Sequence, residues 1–230
     1  MGVWRKSAGT LLLSAALGLS GCQSVMSMSG LSSTEPTNLS TAKAAVTRYY
    51  ESGQYRRDLE KVAAEVSAWL EKRAKKPAKG ERLAVVFDVD ETVLSNFPHM
   101  QSLDFGYTLD DWHGWVQKAE APAIEPMRDV MMRARELDYT VFFVTGRAEP
   151  AEHAGTAANL FQEAMGDYER LMMKSVDDKR PTARRKAAQR AEIEEAGYTI
   201  VATIGDQWSD LEGGHAEKAF KVPNPFYEIP

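Results

Sequence analysis

The sequence predicts an α/β fold: a parallel sheet flanked by helices, with a small inserted cap and an N-terminal helical extension. Three continuous apolar runs of strand length, Leu83 to Phe87, Tyr139 to Val144 and Tyr198 to Ile204, suit strands covered on both faces. Helical patterns separate them: Pro126 opens one that runs to about Leu137, and Pro181 to Ala196 forms another, stopped by Gly197. At 230 residues, 43% of them apolar and 27% charged, the chain holds one sizeable domain and not two large ones. A formal net charge of −5 argues against non-specific nucleic-acid binding, which needs a basic face.

In chain order, Arg5 and Lys6 precede an apolar run from Leu11 to Leu19, too short to span a membrane and built like a secretory signal. The run ends in Leu19-Ser20-Gly21-Cys22, which resembles the bacterial lipobox, and Gln23 after the cysteine resembles the outer-membrane sorting pattern. Residues 1–21 are therefore expected to be a lipoprotein signal peptide, with Cys22 lipidated and the protein anchored in the cell envelope, at the outer membrane facing the periplasm or the exterior. Cys22 is the only cysteine, so no internal disulfide forms. Residues 22–39 are Ser/Thr-rich and aperiodic, a flexible tether to a domain over residues 40–230.

Ser40 or Thr41 is expected to cap a first helix, broken near Gly53. Leu59, Val62, Ala63, Val66 and Leu70 then form the apolar stripe of a second, and the basic run Lys72 to Lys76 is a solvated helix end. After the first strand, residues 96–125 hold Phe97, Phe105, Tyr107, Trp112 and Trp115 among Gly, Asp and Pro, which marks a cap insertion. These aromatics either fill a small accessory core or line a pocket mouth; Trp112 and Trp115, with Phe226 and Tyr227 of the Pro-rich tail, are the candidates for stacking on a planar substrate group. A helix is expected from near Pro150, a weaker strand at Leu171 to Met173 and a last one at Phe220 to Val222. Most charges of the basic helix from Pro181 read as a solvated face, with one lysine pointing at the acids. His99, His113, His153 and His215 lack ligand spacing.

The chemistry sits where the strands end. Asp88 and Asp90 follow the first strand, Thr145 and Gly146 the second, Asp206 and Asp210 the third. Ligands of open α/β sheets bind outside the carboxyl ends of the strands, so these groups are gathered at one edge. Read alone, Asp88 and Asp90 are equally a strand end and a helix cap. Four carboxylates side by side need a cation, and oxygen-only ligands select a hard ion, best Mg²⁺. An exposed carboxylate beside such an ion is able to attack phosphorus, and a glycine amide to bind an anion.

The ordered set, and the wording F-D-V-D-E-T-V-L-S-N, F-F-V-T-G-R, G-D-Q-W-S-D-L-E-G and K-V-P-N-P-F-Y, resembles the haloacid dehalogenase superfamily, in the acid phosphatase branch that holds bacterial outer-membrane lipoprotein acid phosphatases and plant vegetative storage proteins. The resemblance spans about Leu83 to Pro230 and implies a Rossmann-like sheet and a Mg²⁺-dependent acid phosphatase acting on small phosphomonoesters, with nucleoside monophosphates the suggested class. It implies Asp88 as nucleophile and metal ligand. Asp90 would be the acid and base, with its carbonyl on the metal. Thr145 and Gly146 would bind phosphate, Asp206 would ligate the metal, and Asp210 would support the metal waters or a lysine. That lysine is Lys186, which also binds phosphate, or its competitor Lys174; Ala187 stands where the family has serine. A storage protein on the same fold and a metal-nucleotide glycosyltransferase are the rivals, and neither nucleic-acid partner nor oligomeric state is implied.

Overall fold

The computed structural model describes residues 36–229. The expected signal segment over residues 1–21 and the lipidation site Cys22 lie outside them, as does most of the expected tether. Among the described residues no helix is long and apolar enough to cross a membrane.

Helix α1 (Leu39–Glu51) is capped by Asn38, whose side chain accepts from the amides of Ser40 and Thr41 at 3.0 and 3.4 Å. The cap thus lies two residues ahead of Ser40 and three ahead of Thr41, the positions expected, because Asn38 offers an acceptor with its backbone still extended. Gly53, at φ +74°, makes the break to α2 (Gln54–Ala74), and Tyr55, Leu59, Ala63, Val66 and Leu70 form its buried stripe.

Five strands form one parallel sheet in the order β3-β2-β1-β4-β5: β1 (Arg82–Phe87), β2 (Thr140–Glu149), β3 (Arg170–Ser175), β4 (Tyr198–Gly205) and β5 (Ala219–Lys221). Alternate residues of the central strand face opposite layers. Leu83, Val85 and Phe87 join the larger core with α2, α5 (Glu125–Glu136) and α6 (His153–Gln162), while Ala84 and Val86 join a smaller one with Ile193 of α7 (Thr182–Glu195). Between β1 and α5 stand two short helices, α3 (Phe97–Ser102) and α4 (Leu109–Lys118), and α8 (Trp208–Leu211) follows β4.

Two expectations need correction. Strand β2 continues past Val144 through Glu149, and between Val144 and Ala148 its register against β3 slips by two residues. Thr145, Gly146 and Arg147 thus form a bulge within the strand, where the end of the apolar run suggests a strand end; bulges re-aim side chains near sites. On α7 the solvated face holds for Arg184, Glu192, Glu194 and Glu195, which are exposed, but not for two of its arginines. Arg185 and Arg190 are buried, and their guanidinium groups are spent on backbone carbonyls, Arg185 on Thr145 at 3.1 Å and Arg190 on Asp210 at 2.6 Å, Gly214 at 2.9 Å and Glu212.

Candidate active site

Asp88 leaves β1 with its amide donating to the Ile204 carbonyl of β4, so the first and third motifs are joined at the backbone. One carboxylate oxygen each of Asp88, Asp206 and Asp210 lie within 4.8 Å of one another, all three residues buried. Lys186 is inserted among them: its Nζ donates to Asp88 Oδ1 at 2.5 Å and to Asp210 Oδ1. Lys174, the competitor, is exposed on β3, so α7 and not β3 delivers the lysine. Lys186 and Arg190 stand one turn apart and meet the same residue, the lysine at the carboxylate of Asp210 and the arginine at its carbonyl. The amide of Gln207 donates to Asp210 Oδ2 at 2.8 Å, closing a capping box on α8. Asp206 Oδ2 accepts from Gln207 Nε2 and Asn224 Nδ2, both at 2.6 Å, and the Thr92 hydroxyl lies 3.3 Å from both Asp88 and Asp206.

Asp90 does not join this triad. Its carboxylate turns to Arg147 of the β2 bulge, which donates from Nη2 at 2.8 Å and from Nε at 3.1 Å to Oδ1 and 3.2 Å to Oδ2, while Asn96 Nδ2 donates to Oδ1 at 2.9 Å. Gly146 borders the same cavity as Asp88 and Lys186; Thr145 lies behind it, fully buried, with its hydroxyl accepting from the Arg147 amide at 3.1 Å.

The electrostatics follow from burial. Removal from water pushes Asp88 well above the ordinary carboxylate range; Lys186 opposes this, and Asp210, Asp206 and Asp90 add to it. Burial and then Asp210 raise Asp206 to about 7. Burial disfavours the Lys186 ammonium, but Asp210 and Asp88 outweigh it and hold the group charged. Lys186 pairs two of the three buried carboxylates, Asp88 and Asp210, and every ligand atom of the triad is oxygen, so the residues fit a hard divalent cation.

A cavity of about 510 Å³ opens over the triad, of the size small ligands occupy. Trp112, Phe226 and Tyr227 line it, and Trp112 lies 5.5 Å from the Arg147 guanidinium. Trp115 does not: its ring stacks on His99 at 5.1 Å, and its indole N–H donates to Asn96 Oδ1 at 2.7 Å, so it is packing and a hydrogen-bond donor rather than a lining group. Phe226 packs on Tyr55 and Phe97, and the Tyr227 hydroxyl donates to Glu91 Oε2 at 2.7 Å.

Sequence reasoning missed Glu91, Asn96, Arg147 and Asn224. Glu91 is fully buried at φ +52°, and burial, then Asp90, raise it to about 7. Each of these residues stands inside or beside a quoted motif, but no spacing rule distinguishes a glutamate after Asp-x-Asp or an arginine after Thr-Gly from a solvated charge.

Residues 14–230 match the family model described as HAD superfamily, subfamily IIIB (Acid phosphatase). The chain is 33% identical over 191 residues to acid phosphatase 1 of Solanum lycopersicum, covering 80% of this chain and 73% of that one. It is 26% identical over 213 residues to vegetative storage protein 1 of Arabidopsis thaliana, covering 87% and 77%. The class C acid phosphatase from Bacillus anthracis with tungstate bound has the same fold, with a TM-score of 0.69, 21% identity, and coverage of 83% of this chain and 86% of that one.

Proposed function

The chain belongs to subfamily IIIB of the HAD superfamily, the acid phosphatases, and from that premise we propose a Mg²⁺-dependent hydrolysis of phosphate monoesters through a phospho-aspartate on Asp88. The observation that carries the proposal is the buried group of Asp88, Asp206 and Asp210 with Lys186 inserted among them. The Asp88 carboxylate attacks phosphorus, the bond from phosphorus to the ester oxygen breaks, and Asp90 gives a proton to the departing alkoxide. Asp90 then takes a proton from a water that attacks the phospho-aspartate, releasing phosphate and restoring Asp88. Lys186, the Gly146 amide and Thr145 stabilise the negative charge of the group in transfer. Asp88, Asp206 and the Asp90 carbonyl would hold the magnesium ion, with Asp210 behind them; when bound, the ion neutralises the carboxylates and draws charge from the phosphoryl oxygens.

Residues 96–125 act as the cap, and nucleoside monophosphates are the favoured substrates, their bases stacking among Trp112, Phe226 and Tyr227 at the cavity wall. The N-terminal motif supports attachment through a lipid on Cys22 at the outer membrane; fatty-acid labelling that persists in Cys22→Ser would exclude that. Turnover of p-nitrophenyl phosphate should require Mg²⁺ and vanish in Asp88→Asn, and an active Asp88→Asn protein would sink the mechanism. Equal kcat/KM for a nucleoside monophosphate and glycerol phosphate would rule out stacking as a specificity device. A storage protein without activity remains the second reading, suggested by the likeness to vegetative storage protein 1. It predicts no turnover in the same assay.

A further inference from the structure

Asn96 opens helix α3, at a position where an asparagine side chain ordinarily accepts from the helix's own first amides. Here it makes no such cap. Its side chain is 99% shielded from solvent and wholly committed elsewhere: Oδ1 accepts from Trp115 Nε1 at 2.7 Å, and Nδ2 donates to Asp90 Oδ1 at 2.9 Å and to Glu91 Oε2 at 3.0 Å. An indole N–H only donates and a carboxylate accepts, so these partners fix which end of the amide is which. The Asn96 backbone amide is held as well, donating to Glu91 Oε1 at 2.5 Å. Glu91 adopts φ +52° within this arrangement, a conformation that a glutamate keeps only when its surroundings enforce it.

The consequence falls on one oxygen of Asp90. Oδ1 receives Asn96 Nδ2 and both Arg147 nitrogens, whereas Oδ2 receives only the longest of the contacts, Arg147 Nε at 3.2 Å. We propose that Asn96, itself held by Trp115 and Glu91, is a positioning residue for the acid step: it secures Asp90 Oδ1 and so leaves Oδ2 as the oxygen that delivers the proton to the leaving group. This rests on the reading of Asp90 as the acid. Arg147 already favours Oδ1 but still reaches Oδ2 through Nε; the amide from α3 adds a third donor to Oδ1 and none to Oδ2.

A leaving-group series separates this role from a structural one. Departure of p-nitrophenolate needs little protonation, whereas an alkoxide needs a proton, and kcat/KM reports only the steps through the first bond cleavage. In Asn96→Ala, kcat/KM for an alkyl phosphate should fall at least about tenfold more than for p-nitrophenyl phosphate, a part of the 10²–10⁴-fold that a positioned acid supplies. Trp115→Phe, which leaves Asn96 in place but removes the donor that orients it, should show the same selectivity more weakly, and it decides the matter if Asn96→Ala does not fold. Asp90→Asn is the reference. A selective loss in Asp90→Asn together with an equal loss on both substrates in the Asn96 and Trp115 variants overturns the positioning role alone. An unselective loss in Asp90→Asn overturns the assignment of the acid, and the proposal with it.

Discussion

Replacing Gly155 with alanine sets two forces against each other, and the structure decides between them. Helix propensity favours alanine inside α6 by up to about 1 kcal/mol. Packing opposes it: a Cβ at position 155 would stand 2.2 Å from the Val116 carbonyl oxygen, 2.8 Å from its carbon and 3.1 Å from Gln117 Cα. Carbon atoms in contact rest about 3.5–4.0 Å apart. All three neighbours are backbone, so no side chain is able to swing away and α4 must retreat by roughly 1 Å. Overfilling of this kind costs about 1–3 kcal/mol. Less the propensity gain, the net loss is up to about 2 kcal/mol, or a Tm lower by up to about 8 °C for a chain of this size. Helix α4 also carries Trp112, beside Arg147, and Trp115, bonded to Asn96. A displacement of that size at a site costs up to about 10²-fold, so kcat/KM should fall about tenfold. Thermal unfolding and steady-state kinetics with p-nitrophenyl phosphate measure both. Gly114→Ala on the same helix, where a Cβ meets nothing within 4 Å, is the control and should not lower Tm. A Gly155→Ala protein with raised Tm and unchanged kcat/KM would refute the close approach of α4 to α6.

Gly205→Ala should be more damaging to catalysis than to folding. The added Cβ would stand 2.3 Å from Asp210 Cβ and 2.5 Å from its Oδ2, so Asp210 must leave Lys186, and kcat/KM should drop by about 10²-fold; near-normal kinetics would disprove the crowding. Stability of the Mg²⁺-free protein should fall as pH rises from about 4.5 to 7. Glu91, raised from 4.5 to about 7, binds its proton in the folded state and has lost it in the unfolded chain across that window, which amounts to about 3 kcal/mol lost by pH 7. Asp88 and Asp206 shift in the same direction, so Mg²⁺ should recover part of the loss. Denaturation midpoints that rise over this range, or that fall equally steeply in Glu91→Gln, would contradict the account.

The sheet was legible because each central strand announces itself as an unbroken apolar run, and burial on both faces leaves little else for Leu83 to Phe87 to be. Strand ends were less so: the β2 bulge is set by pairing with β3, which no local pattern encodes. Asp88, Asp206 and Asp210 were legible as a group because strand ends gather by topology, whereas Lys186 was singled out over Lys174 by its likeness to the family's Lys-Ser-x-x-Arg block. The turn of Asp90 toward Arg147, the burial of Arg185 and the inward course of Trp115 depend on partners 57, 40 and 19 residues away in sequence, and the burial of Arg190 on partners 20 to 24 away. A charge in a string reads as solvated until the carbonyls it meets are known.

The segment after β5 closes the site from the far end of the chain. Asn224 holds Asp206, Phe226 joins Tyr55 of the N-terminal helical pair, Tyr227 holds Glu91, and the Ile229 amide donates to Gln207 Oε1 at 2.9 Å. Synthesis delivers residues in order, so Asp88 emerges long before the wall of its cavity exists. A chain that has assembled its sheet still lacks a finished pocket until residues 224–229 are in place.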